Sequence, residues 1–583
     1  MNLGASVATA KLNALASGDP WRRIEREFAS TGDAATVQRG LTEAIDALVA
    51  KAYQAAVEPV LPQGAALLAW GEYGRAQLFP YSDVNVLIVL ETERSWVALR
   101  EVLSEFVREL WDLGLRVNHS VRTIAECLDV RDENLDLKIG VLDGRLVAGN
   151  QYVHAQLHNR LPEFLGKQAQ KLAQQLCHEA RLRYAKHHQT FRHLQPDVQE
   201  TPGGIRDLQL IRWLARLGAE RQPVSDSFGP AASFLATARC FLHYRARGDR
   251  NLLDFAAQES IAQQPFSRHE SRVEWMREYY GHAALVSKCV RRALESSEKT
   301  ESSLLGNFRE WRSRLSNTDF TVSRDRLLLR NPGQIEEDTD LLLRLIEFMA
   351  RHDIGPSAST DSRLEAARPA LAAYCATPRP MWATLKNILA LPHIGTALRA
   401  LQNTGLLSAL FPEWKHVENL SNADHGHSYT VDEHVLVACE RVGELRNTSD
   451  PARRRFSELL SEIDNPAVLL FALLYHDMGK DSPGGDSLRL SVARAATGAR
   501  RIGMPPDEQS DVEFLIEHQL NLAEGMSTRD PADPATPRWL AKRIGTIERL
   551  RLLAILTYAD MSSAHSDSMS PWRMDQLWLV HQV

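Results

Sequence analysis

Four residues in the last third of the chain have the types and the order that suit a divalent metal ion. They are His434, the adjacent pair His476 and Asp477, and Asp560. Imidazole nitrogens and carboxylate oxygens are common metal ligands in proteins. A lone histidine or aspartate is usually a core or helix-end residue, but four in this order predict a metal site. His518 is an additional candidate ligand.

Three helices are expected to position these side chains. Asn465 and Pro466 suit a helix start, and AVLLFALLYHDMGK then runs to Gly479, so the His-Asp pair falls at the end of a buried helix. His434 lies early in an amphipathic stretch, HSYTVDEHVLVACERV, and Asp560 lies near the end of an apolar one, LRLLAILTYADMSS.

The HDMGK spelling and the order of the four residues resemble the HD superfamily of metal-dependent phosphohydrolases. The resemblance implies an all-helical domain, phosphoester hydrolysis, and Mg or Mn as the ion, with Fe or Zn as alternatives. Such an ion lowers the pKa of a bound water and neutralises phosphoryl oxygens. We expect Asp477 and Lys480 to take part in catalysis, the lysine by assisting a phosphate.

A second candidate site lies in GEYGRAQLFPYSDVNVLIVL, which starts at Gly71. Its glycine-bearing loop joins two β-rich runs, AALLAW and VNVLIVL, and RVNHSVR from Arg116 predicts a third strand. The segment resembles the nucleotidyltransferase signature, which implies a small polymerase-beta-like α/β domain. The resemblance makes Gly71, Asp83 and Asn85 the nucleotide-binding residues, because alternate strand positions face one side.

Three departures from that signature predict an impaired transferase. Asn85 stands where the family has a second aspartate, Glu72 replaces a small residue beside the phosphates, and Arg116 replaces a third acidic residue. A neutral amide ligates magnesium more weakly than a carboxylate, and a glutamate repels a triphosphate.

A wider resemblance joins the two sites. The stretches LWDLGLRVNHSVRTIAECL, VLDGRLVAGN, PGGIRDLQLIRWLAR and HSYTVDEH occur in the order of the bifunctional PII-protein uridylyltransferase/uridylyl-removing family. The resemblance implies UTP as a possible substrate and a PII-like signal protein as a possible partner. The family's two C-terminal ACT domains are not expected, because the chain stops at Val583. GGDS at Gly484–Ser487 and Gln519 replace family histidines, so we expect one ion rather than two.

Composition excludes several classes. The 583 residues carry 68 lysines and arginines against 74 acidic residues, a net charge of -6, so nucleic acid is not an expected partner. The six scattered cysteines suit a reducing cytoplasm, and no apolar run is long enough to cross a membrane.

The predicted architecture is α+β and predominantly helical. Polar segments at 298–303 and Gly355–Ser362 are the best linker candidates. The expected domains are a helical lead-in at 1–60, a degenerate nucleotidyltransferase-like domain at 61–165, a helical domain at 166–300, a helical connector at 301–415 and an HD phosphohydrolase domain at 416–583.

Three functions fit the sequence. The first is a diverged family member that hydrolyses a nucleotidylated protein or a small phosphoester and has an impaired transferase. The second is an active bifunctional enzyme that transfers UMP from UTP to PII. The third is a non-catalytic regulator that binds a nucleotide or a protein.

Two further features have both a functional and a structural interpretation. Arg206 and Asp207 could bind phosphate or form a loop-to-helix joint, and His425 and His427 could extend the metal site or be ordinary surface residues.

Overall fold

Helices dominate the chain, and its strands are confined to two small sheets, as the α+β prediction requires. The computed structural model describes residues 19–582 except 93, 130–133, 219–227, 299–314, 423–426, 447, 483–485 and 566–567. The chain divides into two units, Met1–Phe191 with Gln195–Glu301, and Arg192–Leu194 with Ser302–Val583.

The first unit contains a four-stranded sheet covered by helices. The strands are β1 Ala65–Ala69, β2 Val84–Leu90, β3 Val117–Thr123 and β4 Arg145–Gly149. The helices are α1 Asp19–Thr31, α2 Ala34–Ala56, α3 Gly71–Gly74, α4 Arg94–Asp112, α5 Ile124–Cys127, α6 Leu135–Leu142, α7 Gln151–Lys186, α8 Ile205–Arg216, α9 Gly229–Ala246, α10 Phe255–Ala262 and α11 Arg272–Glu298.

The sheet order is β3-β2-β1-β4, with β2 parallel to β3 and antiparallel to β1. The three strands predicted from the sequence are confirmed. Side chains alternate between two cores, because Val86 and Ile88 pack on one face while Leu87 and Val89 pack on the other. Both faces of the central strands β1 and β2 are therefore buried, and these strands support the residues at the start of β2.

Helix α7 runs without a break across the expected boundary between residues 165 and 166. The domain limits proposed from the sequence remain predictions.

The second unit is helical apart from a hairpin of β5 Phe320–Ser323 and β6 Arg326–Leu329. Short 3-10 helices occupy Gln334–Glu336 and Pro412–His416. The α-helices are α12 Thr339–His352, α13 Ala358–Cys375, α14 Trp382–Leu389, α15 Ile394–Thr404, α16 Leu407–Leu410, α17 Val431–Leu445, α18 Pro451–Ser461, α19 Pro466–Tyr475, α20 Ser487–Arg501, α21 Pro506–Glu517, α22 Asn521–Thr528, α23 Ala535–Ile544, α24 Ile547–Ala564 and α25 Pro571–Gln582.

The prediction of a linker at Gly355–Ser362 is wrong. The Leu327 N–H donates to the Gly355 carbonyl and the Ser357 N–H donates to the Leu327 carbonyl, each at 3.0 Å. The Ser357 side chain then accepts from the Thr360 N–H and caps α13. Polar, turn-forming residues here make a helix start. The other linker candidate, 298–303, lies almost entirely outside the described residues.

A three-residue segment, Arg192–Leu194, belongs to the second unit although its neighbours on both sides belong to the first. The Leu194 N–H donates to the Ser428 carbonyl at 2.9 Å, and the Thr430 N–H donates to the Arg192 carbonyl at 3.0 Å. The Arg192 guanidinium lies 3.2 Å from a carboxylate oxygen of Asp432 and 3.7 Å from one of Glu433. This segment therefore supplies a cation at the start of α17.

Candidate metal centre and candidate nucleotide site

Helix α19 and the turn after it place His476 and Asp477. Every residue from Ala467 to Tyr475 is buried, so the helix is fixed on all sides by apolar packing. The chain then turns tightly, and the Gly479 N–H donates to Ser491 Oγ of α20 at 2.9 Å. A Cβ at Gly479 would collide with the Ser487 carbonyl oxygen. Only glycine allows this close approach, which holds the His-Asp pair in place.

Two other buried helices bring up the remaining candidates. His434 lies in the first turn of α17 and is 1% exposed, and Asp560 lies in the last turns of α24. Most of α24 is apolar and buried from Leu552 to Ala559, so its packing fixes the carboxylate. The three helices predicted from the sequence are present.

The candidate ligand atoms converge on one point. Single ligand atoms of His434, His476 and Asp560 all lie within 4.8 Å of one another. His476 Nε2 is 3.5 Å from both Asp560 Oδ1 and Asp477 Oδ2, and His434 Nε2 is 2.9 Å and 3.7 Å from the same two atoms. Ligands about 2.1 Å from an ion lie roughly 3.0–3.4 Å from one another. The separations thus fit one divalent ion with small adjustments.

The other nitrogen of each imidazole is held by hydrogen bonds. His476 Nδ1–H donates to the Leu473 carbonyl at 2.7 Å. Ser563 Oγ donates to the Asp560 carbonyl at 2.7 Å and so accepts from His434 Nδ1–H at 3.0 Å. With each Nδ1 engaged in this way, both Nε2 atoms face the centre of the cluster, which is the usual arrangement of metal-binding histidines.

The electrostatics favour a positive charge at the same point. Burial disfavours the imidazolium of His476, but Asp477 and Asp560 outweigh it and raise the pKa of His476 to about 9. Burial alone would raise the pKa of Asp560, but hydrogen bonds from His434 and His476 hold that pKa well below its usual range. The buried cluster is therefore built to contain a cation.

The other residues expected near this centre have different positions. Lys480 Nζ lies 2.7 Å from Asp477 Oδ2, at the edge of the cluster. The His518 Nδ1 contacts Asn521 at 3.1 Å and the His518 ring packs on Phe514, so His518 is not part of the converging group. The neighbouring Gln519 is buried and donates to the His476 carbonyl at 3.3 Å.

The His427 ring packs edge-on against His434, with centroids 4.8 Å apart. His425 and Gly484 lie outside the described residues.

The residues of the candidate nucleotide site meet at the start of β2. Gly71 has φ +63°, a conformation that favours glycine, and its added Cβ would lie 3.3 Å from Asn85 Nδ2. Asn118 stands opposite Asn85 on β3, and its Nδ2 donates to Asp83 Oδ2 and Asn85 Oδ1, each at 3.2 Å. The loop and both strand residues of the signature are thus adjacent.

A guanidinium occupies the side of Asp83 that Asn118 leaves open. Arg116 Nε lies 2.8 Å from Asp83 Oδ1, and Arg116 Nη2 lies 3.3 Å from Asp249 Oδ2 and donates to the Tyr81 carbonyl at 2.7 Å. Both oxygens of Asp83 are therefore already paired within the protein.

Glu72 is also paired. Its carboxylate lies 2.6 Å from Arg239 Nη1 and accepts from Ser82 Oγ at 3.1 Å. Burial would raise the pKa of Glu72, but Arg239 overcomes this and lowers it. The repulsion of a triphosphate expected from Glu72 is consequently smaller than the sequence implied.

Sequence reasoning missed several of these partners. Ser563 is three residues beyond Asp560, and Asn118 is two residues beyond Arg116, so helix and strand periodicity could have found both. Nothing in the sequence around Arg239 or Asp249 marks either residue as a partner of the candidate nucleotide site.

Arg206 and Asp207 have a structural role in the described chain. The Asp207 carboxylate is fully buried, binds Arg183 and Tyr184, and accepts from the Gly203 N–H at 2.7 Å. Arg206 pairs with Glu200 at 3.1 Å. The segment is a loop-to-helix joint.

The fold is that of an α+β protein in which a nucleotidyltransferase-type sheet accompanies helical domains. Within the described chain, no helix is both long and apolar enough to span a membrane.

Comparison with known proteins confirms the family resemblance. Residues 170–294 match the family model described as GlnD PII-uridylyltransferase. The chain is 28% identical over 572 residues to the bifunctional uridylyltransferase/uridylyl-removing enzyme of Burkholderia orbicola (strain AU 1054), covering 94% of this chain and 65% of that protein. It is 26% identical over 528 residues to the enzyme of the same name from Vibrio atlanticus (strain LGP32), covering 87% and 60%. The chain thus spans less than two thirds of the length of these curated relatives.

Proposed function

We propose that the second unit is an HD-type, metal-dependent phosphohydrolase. The observation that carries this proposal is the convergence of two buried imidazole Nε2 atoms with the carboxylates of Asp560 and Asp477, while hydrogen bonds hold each Nδ1. Such a donor set suits Mn, Fe or Zn, and Mg remains a candidate because the carboxylates supply oxygen ligands.

Each residue has a distinct part in the proposed reaction. His434, His476, Asp477 and Asp560 would hold the ion, which supplies an acidic water and charge for phosphoryl oxygens. Lys480 is paired with Asp477 but 22% exposed, so its ammonium group can turn towards a phosphate oxygen of a substrate. Asp477 would bind the ion and, through its ion pair with Lys480, would also orient the ammonium group.

We infer that the substrate is a nucleotidylated protein or a small phosphodiester. The relatives are named uridylyl-removing enzymes, which favours a uridylylated protein of the PII type. We place the reaction in the cytoplasm, in keeping with six free cysteine thiols.

We propose that the candidate nucleotide site of the first unit is impaired in nucleotidyl transfer. Asn85 is a weak magnesium ligand, and Arg116 already neutralises Asp83. An active bifunctional enzyme is the second candidate, because Gly71 and Asp83 keep the loop and the first carboxylate of the signature.

The hydrolase proposal is tested on the purified full chain. Bound Mn, Fe, Zn and Mg are measured by mass spectrometry, and hydrolysis of uridylylated PII and of a bis-nitrophenyl phosphodiester is followed. We expect bound metal and activity in the parent, and loss of both in His476→Ala and Asp477→Ala. His518→Ala is the matched control and should keep both, because His518 lies outside the converging group.

Two outcomes decide between the alternatives. A parent chain that stays metal-free and inactive after metal addition contradicts the hydrolase and favours a non-catalytic nucleotide- or protein-binding regulator. Rapid UMP transfer from UTP to PII by the parent contradicts the impaired transferase and favours the bifunctional enzyme.

A further inference from the structure

A cavity of about 210 Å³ lies in the first unit, between the start of α2, the loop after α3, and helices α8 and α9. One wall is apolar and the other is polar. The apolar wall contains Phe79, Ile205 and Leu208, and the polar wall contains Gln77, Gln209 and Arg212. The exposed Ser233 also lines the cavity, so the space is open to solvent there.

The polar wall carries a positive charge that has no ion-pair partner among the described residues. Arg212 Nη1 donates to Gln77 Oε1 at 2.8 Å, and no carboxylate of the described chain forms an ion pair with Arg212. Burial lowers the pKa of Arg212, the charge of Arg75 lowers it further, and Asp143 offsets part of this decrease. An arginine nonetheless stays protonated at neutral pH, so the guanidinium faces the cavity as a cation.

The nearby carboxylates are already engaged elsewhere. Glu72, the one acidic residue that lines the cavity, is neutralised by Arg239 at 2.6 Å. Asp143 pairs with Arg75 and also with Arg216 at 2.8 Å. One carboxylate shared by two arginines leaves this region positive, and the charge of Arg212 is available to a ligand.

We propose that this cavity binds a small organic carboxylate with an apolar body. The carboxylate would pair with the forked N–H groups of Arg212, and the body would lie against Phe79, Ile205 and Leu208. The single positive charge of Arg212 matches a monoanion better than a phosphate dianion. The volume is below the usual range of about 300–1,000 Å³ for drug-sized ligands, which limits the ligand to roughly ten non-hydrogen atoms. The site is independent of the proposed hydrolase.

The test uses the full chain and three probes, valerate, benzoate and phenylacetate, titrated by ligand-observed NMR and calorimetry. We expect at least one probe to bind with a dissociation constant of about 1 mM or tighter. Arg212→Gln should weaken that probe at least about tenfold, because it removes the charge and keeps an amide. Ala232→Leu, which fills the cavity, should weaken it similarly without touching the charge.

Arg247→Gln is the control, since it removes an exposed arginine of the same unit that pairs with Glu25 and does not line the cavity, and binding should persist. The proposal is overturned if no probe binds up to about 10 mM, far above the expected constant. It is also overturned if Arg247→Gln weakens binding as much as Arg212→Gln, or if inorganic phosphate binds and all three carboxylates do not. Unfolding temperatures of each variant separate lost binding from lost structure.

Discussion

Ser563 decides which nitrogen of His434 faces the candidate metal. Its hydroxyl donates to the Asp560 carbonyl, so it has only an acceptor lone pair for His434 Nδ1–H. Ser563 is only 1% exposed, so its hydroxyl is buried beside the ring. A single hydroxyl therefore orients a candidate ligand, His434, that lies 129 residues away in sequence.

Replacing this hydroxyl should weaken metal binding more than folding. In Ser563→Ala, His434 loses its orienting partner, and we expect metal affinity to fall roughly 10- to 100-fold. The free energy of unfolding should fall by only about 1 kcal/mol. Competition with a chelator measures the first quantity and urea unfolding the second.

Ser562→Ala is the control, because its hydroxyl bonds only the Tyr558 carbonyl of its own helix. Equal loss of metal affinity in both variants would show that Ser563 does not orient His434.

At the candidate nucleotide site, Asn85→Asp combined with Arg116→Glu should create a metal site. The double variant removes the guanidinium from Asp83 and supplies two further carboxylates on the same face. We expect Mn binding, measured by electron paramagnetic resonance, and UTP-dependent labelling of PII that the parent lacks. Asn85→Asp alone should give less of both, because Arg116 still neutralises Asp83. A parent as active as the double variant would contradict the impaired state.

The sequence could predict residues only where a local pattern marks them. Asp83 and Asn85 stand out because they are two positions apart at the start of a strand, and His476 and Asp477 because they are adjacent at a helix end. Asp249 reaches Arg116 across 133 residues, and nothing in its local sequence marks this pairing. Long-range partners of this kind are fixed by packing alone.

Among the elements, the apolar helix α19 and the strands β1 and β2 follow directly from their side-chain patterns. The error at Gly355–Ser362 has a physical cause. Serine, glycine and proline favour linkers and helix caps alike, and only the backbone bonds to Leu327 distinguish the two.

The turn between α19 and α20 depends on the absence of one side chain. Gly479→Ala places a methyl group against the Ser487 carbonyl oxygen, and neither backbone can move freely. We expect a loss of about 3 kcal/mol or more in unfolding free energy, measured by urea titration, together with a loss of bound metal.

Gly525→Ala in α22 is the control within the same unit. Its new Cβ meets only ordinary contacts, at 3.4 Å from Val580 and 3.6 Å from Trp539. Alanine is the better helix former, so stability should stay the same or rise by up to about 1 kcal/mol. A Gly479→Ala protein as stable as this control would refute the close-approach argument.

At the scale of the whole molecule, Arg192 links an early part of the sequence to α17, the helix that carries the candidate metal ligand His434. Asp432 and Glu433 are fully buried, and Arg192 is 7% exposed. Arg399 also pairs with Glu433. Asp432 has an ion pair with Arg192 and a hydrogen bond from Gln402 at 2.6 Å. Removing Arg192 thus leaves a buried carboxylate without its cation.

Arg192→Met should therefore destabilise the second unit by about 3–5 kcal/mol, the usual cost of breaking one side of a buried ion pair. Differential scanning calorimetry of the full chain measures this. Arg363→Met breaks an exposed pair with Glu336 in the same unit and should cost less than about 1 kcal/mol. Similar losses in the two variants would show that Arg192 has no special structural role.

The assignment of Arg192–Leu194 to the second unit has a consequence for gene evolution and for protein engineering. A gene split near residue 302 would not yield a self-sufficient second unit, because three residues of that unit, Arg192–Leu194, are encoded far upstream. If the two units became separate genes in evolution, either another cation would have to pair with Asp432 or a hydrophobic residue would have to replace Asp432. A laboratory fragment starting at Ser302 should likewise need a short peptide spanning Arg192 as a complementing piece.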